Sequence, residues 1–160
     1  YNTVYIPEYA REYISGLSRP YTLNDVQHIA EIQIRQKEEF SALDSVRASG
    51  ILFMDTYLII TKVWFELVYH QCPGWITSEL ARNDIDLYLL CNTDIPWVPD
   101  PVRENGGSKR EYLLKLYKKE LINYACNYRI VYGTGMARLQ NAISHVEHFI
   151  HNDNGVSSIN

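Results

Sequence analysis

Ile51-Leu52-Phe53-Met54 is an unbroken apolar run closed by an acid, Asp55. A strand that is apolar on both faces is one covered on both faces, so this run reads as a central, parallel strand. Three further runs favour β structure: Val4 to Ile6, ended by Pro7; Ile85 to Cys91; and Tyr128 to Tyr132. The stretches between them carry helical spacing. The order strand, helix, strand, helix, strand, loop, helix, strand, helix predicts an α/β fold, a three-layer sandwich with a mainly parallel sheet.

The helices are marked by their ends. Thr22 stands three residues before Asp25, the spacing of a capping box. Val26, Ile29 and Ala30, continued by Phe40, Leu43 and Val46, predict one long helix that stops at Gly50. Tyr57 to Tyr69 is nearly apolar all round and predicts a buried helix. Pro73-Gly74 breaks it, and a short helix is expected near residues 77–82. Ser108 and Glu111 form a second capping box, opening a helix to about Ala125. Met136, Leu139, Ile143, Val146 and Ile150 predict the inner face of a last helix. Residues 1–151 read as a single domain and 152–160 as a polar tail. Four strands are few for a sheet covered on both faces, and the chain opens on Tyr1 rather than Met. The thin sheet predicts a strand upstream of Tyr1, and the start on Tyr1 reads as a fragment or a processed product.

Charge and cysteine usage narrow the function. The net charge is −4, whereas duplex binders carry a basic excess to neutralise phosphate; no nucleic-acid partner is expected. Cys72, Cys91 and Cys126 are odd in number and contain no C-x-x-C pair, which predicts neither a disulfide framework nor a zinc site. A reducing, cytoplasmic compartment fits. No apolar run reaches the length of a membrane span, and no signal peptide is visible.

Open parallel sheets bind ligands beyond the carboxyl ends of their strands. Glu8 and Arg11 follow the first strand, Asp55 the second, and the loop from Asn92 to Asn105 the third. An acid placed as Asp55 is can hold Mg²⁺, directly or through water, or act as a base towards a hydroxyl; the alternative is a strand-end residue that caps the next helix. Lys62 lies in an apolar stretch and either meets a ligand or snorkels to water. Trp97 offers a flat face for a ring, Asp100 can accept from ribose hydroxyls, and Arg103 can neutralise phosphate charge. The alternative is that Trp97 anchors the loop while Asp100 and Arg103 pair on the surface. His145, His148 and His151 read as a solvated helix face, and His28 and His70 as structural. Gly133-x-Gly135 is no dinucleotide fingerprint, since Arg138 stands where the third glycine would be; Arg138 can still reach a nucleotide. No segment fits the phosphate-binding pattern G-x-x-x-x-G-K-[ST].

Val4-Tyr5-Ile6-Pro7-Glu8-Tyr9-Ala10-Arg11-Glu12-Tyr13, Phe53-Met54-Asp55-Thr56 with Thr61-Lys62-Val63-Trp64, Asp86 to Cys91, and Pro96-Trp97-Val98-Pro99-Asp100-Pro101-Val102-Arg103 occur in this order. Together they resemble the kinase-like P-loop domain of NadR-type proteins, over about residues 3 to 150. The resemblance implies ATP-dependent phosphorylation of a nucleoside-like acceptor, nicotinamide riboside, in NAD salvage, with ATP and Mg²⁺ as cofactors. It implies that Glu8 and Arg11 lie near the acceptor and phosphates, that Asp55 is the metal-linked or base carboxylate, and that Trp97 stacks on the nicotinamide ring. It implies that Asp100 meets the ribose and that Arg103 belongs to the lid. It further implies a strand, Walker A loop and helix ahead of Tyr1, without which the chain would be inactive. Family members often read Asp-Thr-Asp after the second strand, and here Tyr57 replaces the second carboxylate. That change bears on the acceptor more than on the phosphoryl-transfer class. The rival reading is a non-catalytic nucleotide-sensing or protein-interaction domain. An incomplete sheet leaves an open edge, which predicts a homodimer.

Overall fold

Tyr5 and Ile6 form strand β1, the first element, and Pro7, which lacks an N–H, ends it. The computed structural model describes residues 1–98 and 106–153. The elements are β1 (Tyr5–Ile6), α1 (Tyr9–Ser15), α2 (Leu23–Ser41), α3 (Asp44–Ser49), β2 (Phe53–Met54), α4 (Leu58–Tyr69), α5 (Gly74–Ala81), β3 (Tyr88–Cys91), α6 (Ser108–Asn123), β4 (Tyr128–Val131) and α7 (Gly135–Asp153). The chain is a mixed α/β fold with short parallel strands, in two compact units, Tyr1–Ala81 and Arg82–Asn160.

In the first unit β1 and β2 pair in parallel, Tyr5 opposite Phe53 and Ile6 opposite Met54. The ladder continues past the strand, where the Asp55 N–H donates to the Ile6 carbonyl at 2.8 Å. Parallel strands need a crossover, and here it is made by α1, α2 and α3. The core is Ile6, Val26, Ile29, Leu58, Val63, Phe65, Ile76 and their neighbours, all buried. Each such side chain contributes roughly 1.5–3 kcal/mol by leaving water.

The expected capping box at the start of α2 is present: the Thr22 N–H and hydroxyl both donate to Asp25 Oδ2, at 2.7 and 2.6 Å. The single long helix expected after it is two helices. The chain turns extended at Leu43, which caps α3. The short polar side chains of Asp44 and Ser45 compete for backbone groups and favour a helix start over a helix interior, and Asp44 lies at the positive end of α3. Ile51 and Leu52 do not join β2, and Phe53 and Met54 are half-buried rather than covered on both faces. The expected all-round burial of α4 holds only for its first two turns; Leu67 and Val68 are exposed.

In the second unit β3 and β4 pair in parallel, Tyr88 opposite Tyr128 through Cys91 opposite Val131, with α6 in the crossover. The Tyr88 N–H to the Asn127 carbonyl and the Asn92 N–H to the Val131 carbonyl extend the ladder at both ends, at 2.9 and 3.0 Å. Leu90, Leu121, Cys126, Val131 and Val146 are its buried core. Burial raises the pKa of the Cys126 thiol. The second expected capping box is absent. Gly107, at φ 58°, is the N-cap, and Ser108 is already helical. A left-handed N-cap suits a residue without Cβ, and it moves the start of the helix one residue ahead of the Ser108 hydroxyl. The stripe expected on α7 is buried at Val146, while Met136 and Leu139 are 68% and 50% exposed. No helix among the described residues is long and apolar enough to cross a membrane.

Candidate functional site

The carboxyl ends of β1 and β2 lie side by side because the strands are parallel and in register. The residues that leave them, Pro7 and Tyr9 after β1 and Asp55, Thr56 and Tyr57 after β2, wall a small cleft. Asp55 is exposed, with its backbone held by Ile6, so its carboxylate stands at the mouth. Thr56 has φ 72°. A β-branched residue in the left-handed region costs about 1–3 kcal/mol, and such strain collects at functional sites. Tyr57 caps α4 in extended conformation and is buried, with the Lys37 ammonium 5.8 Å from its ring centroid. The back wall of the cleft is α2, through Gln33 and Gln36.

Glu8 is the N-cap of α1 and makes no side-chain capping bond; Arg11 lies within α1. Both are half-buried, and Glu8 sits between the two cleft residues Pro7 and Tyr9. Lys62 is in the second turn of α4, 6% exposed, with its Nζ 2.5 Å from Glu66 Oε1. It is therefore an ion-paired, largely buried ammonium. It is not among the residues that wall the cleft.

The loop after β3 is anchored from α6. The Arg110 guanidinium donates to the Ile95 carbonyl at 2.7 Å and lies 5.8 Å from the centre of the Trp97 ring. Gly106 meets the other parts of that ring: a Cβ there would fall 2.7 Å from Trp97 Nε1. Asp100 and Arg103 lie outside the described residues.

Arg138 is bound into the turn between β4 and α7. Its Nη1 donates to Asp94 Oδ1 at 2.7 Å and to the Gly133 carbonyl at 3.1 Å, and its Nη2 to the Asn92 carbonyl at 3.1 Å. Asp94 also accepts the Gly133 N–H at 2.7 Å. That N–H, followed by the Arg138 guanidinium, holds the Asp94 carboxyl below its ordinary range.

Among the described residues no group of three or more His, Cys, Asp or Glu side chains could hold a metal ion. Mg²⁺ beside nucleotides takes one or two carboxylates and completes its shell with water and phosphate. One exposed carboxylate, Asp55, fits that mode. His28 is hydrogen-bonded to the Tyr9 hydroxyl at 3.1 Å, and His145 to the Ile130 carbonyl at 3.2 Å.

The sequence reading did not single out Gln33, Gln36, Asp94 or Arg110. Gln33 and Gln36 had a legible signal. They continue the stripe Val26, Ile29, Ala30 on α2 with amides where apolar residues would suffice. Arg110 had none, because its partners are set by how the loop folds back on α6.

No curated protein matches the chain. A family model described as "AAA domain" matches residues 1–138, most of the chain, and on that match the chain belongs to the AAA domain family, as a P-loop NTPase-like domain with nucleotide-related activity.

Proposed function

We propose that this chain supplies the acceptor side of ATP-dependent phosphoryl transfer to a nucleoside-like hydroxyl, with nicotinamide riboside as the acceptor and Mg-ATP as the donor. The observation that carries the reading is the position of Asp55, exposed at the carboxyl end of a parallel strand and next to the segment that leaves the neighbouring strand. In parallel α/β folds this is where ligands bind. Phosphoryl transfer asks little of a protein beyond positioning and charge stabilisation. Asp55 would orient the acceptor hydroxyl or hold Mg²⁺ through water, with Glu8 and Arg11 beside the acceptor. Trp97 would stack on the base, Asp100 would meet the ribose, and Arg103 would meet the phosphates. Lys62 and Arg138 are the further cations assigned to substrate and nucleotide. The finer architecture that goes with this reading is a kinase-like three-layer sandwich, working in the cytoplasm.

The test is calorimetric titration of the 160-residue chain with nicotinamide riboside and, separately, with Mg-ATP. The riboside is expected to bind saturably, and Asp55→Asn to weaken it roughly tenfold or more, the loss of one hydrogen bond to a charged group. Asp55 is exposed, so its replacement should leave the melting temperature unchanged. A wild-type chain that takes up no riboside would overturn the acceptor assignment. The second reading, a non-catalytic sensing or interaction domain, is favoured by exposed Met136 and Leu139 at i, i+3 on α7. A homodimer in light scattering that dissociates on Leu139→Glu would support it.

A further inference from the structure

The outer face of α6 is basic on an acidic chain. Tyr112, Lys115, Lys119 and Ile122 stand at i, i+3, i+7 and i+10, so they form one stripe along the helix. All four are exposed, Tyr112 at 54% and Ile122 at 58%, and Lys118 is exposed beside them. Among the described residues the three lysines have no side-chain hydrogen bond or ion pair. Glu120 is buried, which leaves Glu111 as the accessible acid of α6 against Lys109 and these three lysines. Like charges at i, i+3 and i, i+4 work against a helix. A face that only needs to be wetted can interleave both signs, as Arg35 and Glu39 do at i, i+4 on α2. On α6 the like charges stand together, in a chain of net charge −4.

Charge complementarity selects an anion, and the ends of the stripe select its kind. Tyr112 and Ile122 are large apolar side chains left in water, and a partner that covers them has to bring apolar groups as well as negative ones. A nucleic acid brings a phosphate backbone longer than the stripe, and beyond the stripe it meets a net-negative chain. A bilayer is bound through buried apolar area, and α6 turns Leu121 inward to the core. A protein segment supplies carboxylates and apolar side chains together. From Tyr112 to Ile122 is about 15 Å at the rise of an α-helix, the span of about five residues of extended chain. Lys115 and Lys119 lie about 6 Å apart along the axis, close to the spacing of alternate residues in such a chain.

We propose that the outer face of α6 docks a short acidic segment of another protein. Two carboxylates meet Lys115 and Lys119, with Lys118 beside them, and an apolar residue at each end covers Tyr112 and Ile122. Exposed ion pairs are individually weak, so the contact is transient and salt-sensitive. None of these residues walls the cleft at β1 and β2, so the proposal stands or falls apart from the phosphoryl-transfer reading.

The test is titration of the ¹⁵N-labelled chain with the capped peptide Leu-Glu-Ser-Glu-Leu, followed by NMR at the backbone amides of α6. The peptide is expected to shift them saturably, and less as salt is raised. The same peptide with Gln in place of Glu is expected to leave them in place. Lys115→Glu combined with Lys119→Glu is expected to weaken the peptide about tenfold. Arg35→Glu combined with Arg47→Glu, which changes net charge equally but lies on α2 and α3, is expected to retain it. No saturable shift on α6, or an equal response to the Gln peptide, would overturn the proposal. So would undiminished binding by the lysine variant or, should that variant not fold, by Lys115→Gln combined with Lys119→Gln. An equal loss in the arginine variant would reduce the effect to net charge and overturn it too. Tighter binding at α6 by a thymidine oligonucleotide or by phosphatidylserine vesicles would assign the face to a nucleic acid or a membrane instead. Shifts on α6 that grow with chain concentration alone would assign it to a second copy.

Discussion

Arg19 and Asp25 meet as a two-pronged pair ahead of α2, Nη1 to Oδ2 at 2.7 Å and Nη2 to Oδ1 at 2.9 Å. The same carboxylate accepts the Tyr13 hydroxyl from α1 at 2.8 Å and the Thr22 N–H and hydroxyl. One acid thus ties α1, the intervening loop and the start of α2, at a helix end whose partial positive charge favours it.

The Arg19 guanidinium first, then the Thr22 hydroxyl, hold the Asp25 carboxyl far below the ordinary carboxylate value of 3.8. A group depressed in this way contributes stability that is fully present above the unfolded value and lost as pH falls through and below it. Asp25→Asn should therefore be less stable than the parent at pH 7. The gap should close progressively as the pH drops below about 4, as read by urea unfolding of both chains across that range. A gap independent of pH would mean that shape, not charge, holds this junction.

Lys62 and Glu66 make an i, i+4 pair in which the lysine is buried and Glu66 is 45% exposed at its side chain. Removing only the glutamate leaves the ammonium less compensated; for a pair this open to solvent the cost is about 1 kcal/mol. Lys62→Met removes the buried charge and keeps the length, so its stability should lie within about 1 kcal/mol of the parent, on either side. Chemical denaturation checks both. If Lys62 serves a ligand, Lys62→Met should also lose riboside affinity in calorimetry while its unfolding midpoint holds.

Gly106→Ala would set a methyl 2.7 Å from the Trp97 indole nitrogen. The ring has to move away from the Gly106 backbone, and overpacking of this kind costs about 1–3 kcal/mol where neighbours cannot give. The expected readout is a shifted tryptophan emission in Gly106→Ala that is absent when Trp97 is already Phe. Identical emission in both backgrounds would show that the indole does not rest on Gly106.

Arg138 makes three hydrogen bonds to Asp94, Gly133 and Asn92. A lysine cannot reproduce the planar fork. Arg138→Lys should therefore lose about 1–2 kcal/mol in urea unfolding, the worth of one or two lost bonds. If Arg138 also meets a nucleotide, its Mg-ATP affinity falls by more than that of Asp94→Asn, which loosens the same turn but leaves the guanidinium in place.

The element order and types were legible because hydrophobic period and punctuation are local properties. Pro7, the Thr22–Asp25 box, Pro73 and the Gly133–Gly135 turn each act on their own neighbourhood. Local reading erred where two local signals competed. The helical spacing of Phe40, Leu43 and Val46 runs through a break that Asp44 and Ser45 impose, and the S-x-x-E pattern at Ser108 yields to a left-handed Gly107 one residue earlier. The apolar length of Ile51–Met54 overstated both strand and burial, since strand extent is fixed by the partner, and β1 offers only Tyr5 and Ile6.

What the sequence by itself determined is the α/β class, the parallel pairing and the placing of Asp55 at a strand end, because periodicity and chain direction decide these. Tertiary structure decided which side chains share a wall. Gln33 and Gln36 face the segment after β2 only because α2 crosses back over β1, and Arg110 reaches Ile95 and Trp97 only because the loop returns to α6. The spatial neighbours of a polar side chain are set by the packing of distant segments, and no spacing along one segment encodes them.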